Sequence, residues 1–277
     1  MSNIPAMMMW CEIRHLGGTS AAKRIFNRCG KNPSLDSIMD ALKQDQNDTS
    51  SNNQVGDKVY WSRHECCYKW IKQYAKGGKV ENNMSIDFSQ YSNKISNSGH
   101  DENGQYNGGT AGDQTGTEWQ IVNWYSRPWN VVLRHPDTNT ANLIAELAIE
   151  AANNNNIGYD QSERYTFWDN LKQVGYHPAN ITTPCEADCS AGVAAIVKAV
   201  GYLTGNSNLQ GVNSDSYTGN LRAVLKNAGF QVLTDSKYLN SSNYLKPGDV
   251  LLYEGHHTAI NIGIGSQANY DSTPSQS

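Results

Sequence analysis

Apolar residues first recur along the chain at helical spacing. The run Ser20-Ala-Ala-Lys-Arg-Ile-Phe-Asn-Arg-Cys29 stops at Gly30, a residue suited to closing a helix. Pro33-Ser34 opens a second helix in which Leu35, Ile38, Met39 and Leu42 share a face. Polar residues 44–53 read as a loop, and 61–74 as a third helix carrying Trp61, Tyr68, Trp70, Ile71 and Tyr74. Lys76-Gly77-Gly78-Lys79 reads as a linker. The pattern then changes. Residues 96–116 are rich in Gly and Asn and read as a loop or string of turns. Residues 119–133 alternate aromatic and aliphatic positions around Pro128, as an irregular strand pair would. Helices are predicted at 139–153, with Leu143, Ile144, Leu147 and Ala148 on one face, and at 165–174, 188–202 and 221–228. Short strands follow at 230–233, 249–253 and 258–264, the last two joined by Glu254-Gly-His-His257.

This order of elements predicts an α+β fold without internal repeats. The expected division is a helical N-terminal domain over 1–76, a linker over 77–83 and a second domain over 84–277.

Composition narrows the functional classes. The net charge of −4 and the lack of a long basic run argue against nucleic-acid binding. No stretch of 18 apolar residues is present, so no membrane span is expected. The first ten residues lack the basic and long apolar parts of a secretory signal. Either the chain leaves the cell by a route other than a signal peptide, or it is a fragment of something longer. Aromatics are mainly Tyr (15) and Trp (7), against 4 Phe, which suits wet surfaces that hold sugars or peptides as well as polar-tipped core positions. The six cysteines, at 11, 29, 66, 67, 185 and 189, show no zinc-type spacing, and no metal or other cofactor is expected. Asp101, Asn103 and Gln105 alternate like part of a calcium loop, but the glycine offset is wrong and no Glu closes it.

One pair of segments carries candidate chemistry. Asp188 is a good N-cap for an apolar helix containing Val193, Ile196, Val197 and Val200, and Cys189 falls in its first turn. Unpaired N–H groups and the helix dipole favour a thiolate there, although a Cys can equally be packed at a helix start. The second segment, Lys246-Pro-Gly-Asp-Val-Leu-Leu-Tyr253, leads to a strand entered at His257. A His at a strand end facing a helix N-terminus can take the thiol proton. Successive strand residues face opposite ways, so only one of His256 and His257 can do this.

These two segments, about 68 residues apart, resemble the NlpC-type cell-wall cysteine peptidases, which are papain-like, and the related amidase domains of phage lysins. The resemblance covers 139–269. It implies Cys189 as nucleophile, His257 as base and Asn269 as the third polar residue, with Gln267 as substitute. It implies substrate contacts by Tyr159, in the Gly-Tyr turn, and by Asp188 and Ser190, which would hold a free amine in the endopeptidase branch. Two departures from the family pattern stand out: Ala191 replaces a usual Gly, and 159–185 is longer, which implies a remodelled substrate cleft. The N-terminal helices bear a fainter resemblance to part of a lysozyme-like glycosidase. Glu12 is the only early general-acid candidate there, and the region is too short for a complete glycosidase cleft.

The implied function is hydrolysis of a peptidoglycan amide, in the stem peptide or at the muramoyl-alanine bond, by a monomer with peptidoglycan as its partner and phage or mobile-element origin. The alternatives are a non-catalytic wall- or partner-binding module and a papain-like acyltransferase.

Overall fold

The computed structural model describes residues 4–30, 33–47, 58–75 and 86–270. The segment assigned to the linker, 77–83, lies outside them, as does 48–53 of the first predicted loop. The chain divides into two units, Met1–Ser85 and Ile86–Ser277.

The first unit contains α1 (Ile4–Cys29), α2 (Leu35–Asn47) and α3 (Lys58–Ala75). α1 kinks at Gly18, whose φ of 70° falls in the left-handed region that glycine tolerates. Met9, Ile13 and Ile25 pack on Ile38, Leu42 and Ile71. Asp45 is fully buried and is held by Arg24 and Arg28, so its charge is compensated. Glu12 pairs with Arg63 at 2.7 Å. Among the described residues, no helix is long and apolar enough to cross a membrane.

The second unit is α+β. Its elements run β1 (Lys94–Ser98), β2 (Trp119–Asn123), β3 (Val131–Arg134), α4 (Thr138–Ala152), β4 (Ile157–Gly158), α5 (Thr166–Gln173), β5 (Cys185–Glu186), α6 (Cys189–Thr204), α7 (Ser207–Gln210), α8 (Leu221–Asn227), β6 (Gln231–Leu233), α9 (Ser236–Leu239), β7 (Val250–Tyr253) and β8 (His257–Asn261). Six strands form an antiparallel sheet in the order β2-β1-β8-β7-β3-β6. β4 and β5 form a separate parallel pair. Period-two alternation divides the sheet's residues between two cores. Val250, Leu252 and Ile260 face α4 and α6, while Ile95, Val132, Leu251 and Ala259 pack with Trp129 and Tyr238 on the other side.

Two predicted regions fold differently from their sequence reading. Residues 96–98, taken as loop, belong to β1. Its buried positions are Ile95, Ser96 and Ser98, two of them polar, so the apolar alternation that announces a strand is missing. The 119–133 segment does supply two strands, but they do not pair with each other. β2 lies at one edge on β1, and β3 lies between β7 and β6.

Trp119 ties these layers together. Its indole donates to Ser96 Oγ at 2.8 Å, and that hydroxyl donates to the Ala148 carbonyl at 2.8 Å. The ring meets Phe167 edge-on and lies over Gly192 of α6, where a Cβ would come within 2.7 Å of it. Gly192 thus lets α6 approach β2. Gly248 plays the same part in the Lys-Pro-Gly-Asp turn: its φ is +83°, and a Cβ would sit 2.0 Å from the Ala141 carbonyl oxygen. The next residue, Asp249, is buried in a two-pronged pair with Arg134 at 2.8 and 2.6 Å.

Candidate active site

α6 begins as its sequence predicts. Asp188 caps it, accepting from the backbone N–H groups of Ser190 at 2.8 Å and Ala191 at 2.7 Å, and from Ser190 Oγ at 2.8 Å. All three bonds fall on Oδ1. The other oxygen, Oδ2, is 2.7 Å from Arg164 Nε. The same guanidinium reaches Ser190 Oγ at 3.3 Å, the Ser216 carbonyl at 2.7 Å and Asp215 at 3.2 Å. Asp188 and Ser190 are therefore tied to each other and to Arg164, a residue that the sequence reading did not single out.

Cys189 is the first residue of α6 and is buried. α6 packs against β8, and the backbone N–H of Thr258, the residue after His257, acts to lower the thiol pKa. All six cysteines are free thiols. Tyr159 is buried, and its phenol is pushed upward first by burial and then by the charge of Cys189. Tyr125 also feels the Cys189 charge.

His257 opens β8 and is buried, whereas His256 is exposed and stacks on Tyr253 at 4.1 Å. His257 Nε2 lies 2.8 Å from Asn97 Oδ1, which also accepts from the Tyr125 hydroxyl at 3.0 Å. Because that oxygen only accepts, the ring hydrogen is assigned to Nε2, leaving Nδ1 bare as the basic nitrogen. Trp129 lies against the ring with centroids 6.0 Å apart.

The expected third residue, Asn269, is elsewhere. It sits exposed on the short 3₁₀ turn Ala268–Tyr270, and Gln267 is exposed beside it. Asn97 holds the histidine instead. The strand beside β8 is β1, from the start of this unit, and no strand follows β8 among the described residues. Only the polar identity of Asn97 hinted at this, and it was hidden in a segment that reads as loop.

The electrostatics also reverse one expectation. Burial pushes the Cys189 thiol up to about 12, with the charge of Asp188 adding to it; the N–H groups of Thr258 and Ser190 and the charge of Arg164 pull the other way and lose. A helix N-terminus is worth roughly 0.3–2 kcal/mol, or at most about 1.5 pKa units, against several for full desolvation. Burial likewise pulls His257 down to about 4, helped by Arg127. At neutral pH Cys189 is a neutral thiol and His257 a neutral imidazole.

A set of buried acids supports the Tyr159 side. Asp113 accepts from the backbone N–H groups of residues 115–119, and Glu118 accepts from the N–H groups of Gln114 and Tyr159. Asp101 accepts from Asn103 and Gln105 N–H, so the alternation seen in sequence folds into a turn around its own carboxylate. Glu186 is 4% exposed. One oxygen takes the Gly112 N–H at 2.9 Å, and the other has no hydrogen-bond partner. Burial raises this carboxyl to about 8, with Glu118, Asp160 and Glu163 adding to it. A raised folded pKa means that the contribution to stability is intact below the unfolded value near 4.5 and is lost as pH rises through 8. Glu186→Gln should therefore stabilise this unit at pH 9 by on the order of 2–4 kcal/mol, or roughly 5–10 °C in Tm, and by little at pH 4.5. Calorimetric melts at both pH values check this; a gain independent of pH would contradict it.

A family model for an endolysin-like domain matches residues 95–268, which span Asn97, Tyr159, Cys189 and His257. The chain belongs to the endolysin-like domain family. Membership indicates a cell-wall lytic function with peptidoglycan as substrate. No curated protein and no solved structure matches the chain.

Proposed function

We propose that the second unit hydrolyses an amide of peptidoglycan as an NlpC-type, papain-like cysteine hydrolase, with Cys189 as nucleophile, His257 as general base and Asn97 as the residue that orients it. The reading rests on one observation: His257 Nε2 is fixed on Asn97 Oδ1 at the start of β8, while Cys189 heads α6, the helix packed against that strand. A cysteine, a histidine and a polar orienter joined in this way form the nucleophile–base–orienter set that acyl transfer needs.

In this mechanism, Nδ1 of His257 takes the thiol proton as the sulfur attacks the amide carbonyl. The imidazolium then protonates the departing amine as the C–N bond breaks, leaving a thioester on Cys189. Water, deprotonated by the same nitrogen, releases the acid and restores the thiol. Asp188 and Ser190 act as positioning residues: their polar atoms cap the nucleophile's helix and engage Arg164. Tyr159 walls the cleft. The unit over 84–277 is the proposed catalytic domain, acting as a monomer at the cell wall.

Digestion of purified sacculi, followed by mass spectrometry of the new chain ends, tests this reading. A new lactyl carboxylate paired with a free alanine amine identifies the muramoyl-alanine bond, and paired ends within the peptide identify an endopeptidase. Sacculi without new ends would overturn the reading. Transfer to an added amine, without hydrolysis, would make the protein an acyltransferase.

A further inference from the structure

The segment 159–165 runs past the head of α6, and each end of it carries exposed aromatic rings. At one end, Tyr106 is 59% exposed; its ring meets Tyr159 edge-on at 6.5 Å, and its carbonyl accepts from Gln161 N–H. At the other end, Tyr165 is 46% exposed, and its hydroxyl donates to Asp215 at 2.7 Å. Tyr217, 55% exposed, follows Ser216, whose carbonyl is held by Arg164. Among the described residues of this unit these three are most of the large exposed apolar side chains, with Tyr202 and Ile264.

Asp188, the acid at the head of α6, is already spent on Arg164 and on its own helix. Arg164 bridges Asp188 and Asp215, and Asp188 has no oxygen without a partner. A ligand ammonium would have to displace a guanidinium from a partly buried pair, which is costly. A surface of exposed amphipathic rings beside an Asp188 whose oxygens are already engaged favours a ligand recognised by its apolar faces and hydroxyl or amide edges. A pyranose bearing an N-acetyl group has that chemistry.

We infer that Tyr106, Tyr165 and Tyr217 form stacking subsites for the glycan strand, so that the substrate is a stem peptide still attached to sugar through its acylated first residue. This deepens the hydrolase reading and rests on it for the identity of the cleft. Arg164, in the place where a free substrate amine would otherwise pair with Asp188, explains why no free amine is needed.

The test compares kcat/KM on two substrates: a disaccharide-linked stem peptide, and the same peptide with its first residue N-acetylated and no sugar. Wild type should prefer the sugar-linked compound by about 10-fold or more. Tyr165→Ala and Tyr217→Ala should each reduce that preference by about 3- to 10-fold through KM, whereas Tyr165→Phe and the distant Tyr202→Ala should retain it. Thermal melts show which variants are folded. Equal turnover of the two compounds by wild type, or a preference untouched in both folded alanine variants, would overturn the inference and leave the hydrolase standing. Titration of Cys189→Ala with both compounds separates the opposite case. Tighter binding of the sugar-linked compound, with a wild type that cuts neither, would retain the subsites and remove the hydrolase reading.

Discussion

Replacing His257 with Ala should reduce sacculus digestion by about three to four orders of magnitude, and Cys189→Ala should abolish it to the limit of detection. The size of the histidine effect follows from burial. A thiol held up at about 12 leaves roughly one thiolate in 10⁵ at pH 7, so the enzyme cannot run on spontaneous ionisation and needs a base in contact during attack. His256→Ala should stay within about twofold of wild type, because that ring is exposed on Tyr253, outside the Asn97–His257 pair. The pH profile adds a second signature. With His257 pulled down to about 4, Nδ1 remains unprotonated well below the usual histidine range, so the acid limb of kcat/KM should fall near pH 4 rather than 6.5. Loss of activity in His256→Ala with retention in His257→Ala, both folded, would remove the assignment.

The sequence made the helices legible because each carries its own period and stops. α4 and α6 lie within two residues of their predicted spans, and the N-cap role of Asp188 follows from residue type alone. The turn before β7 and the histidine at the start of β8 were readable for the same local reason. What could not be read locally is the closure of the sheet. β1 is separated from β8 by some 160 residues, and its inward-facing serines give no apolar alternation. The acid cluster and Arg164 were invisible for a related reason: each carboxylate is defined by loop N–H groups or by a guanidinium that only the folded chain brings near. The thiolate expectation failed because a helix start is visible in sequence, whereas the depth at which it is buried is not.

Asn97 decides between a site built across the sheet and one built along the chain. Its carboxamide oxygen accepts from both His257 and Tyr125, fixing the ring's tautomer and its rotation at once. Asn97→Ala should lower kcat by about 10- to 100-fold with little change in KM, because the imidazole loses orientation and not substrate contact. Asn269→Ala, on an exposed turn, should remain within about twofold. Asn97→Asp supplies a readout that a purely structural role would not move. A carboxylate 2.8 Å from Nε2 favours the imidazolium, so the folded pKa of His257 must rise from about 4 and the acid limb of kcat/KM must shift upward with it. An acid limb that stays in place in a folded Asn97→Asp enzyme, or a kcat in Asn269→Ala as low as in Asn97→Ala, would return the orienting role to the C-terminal turn.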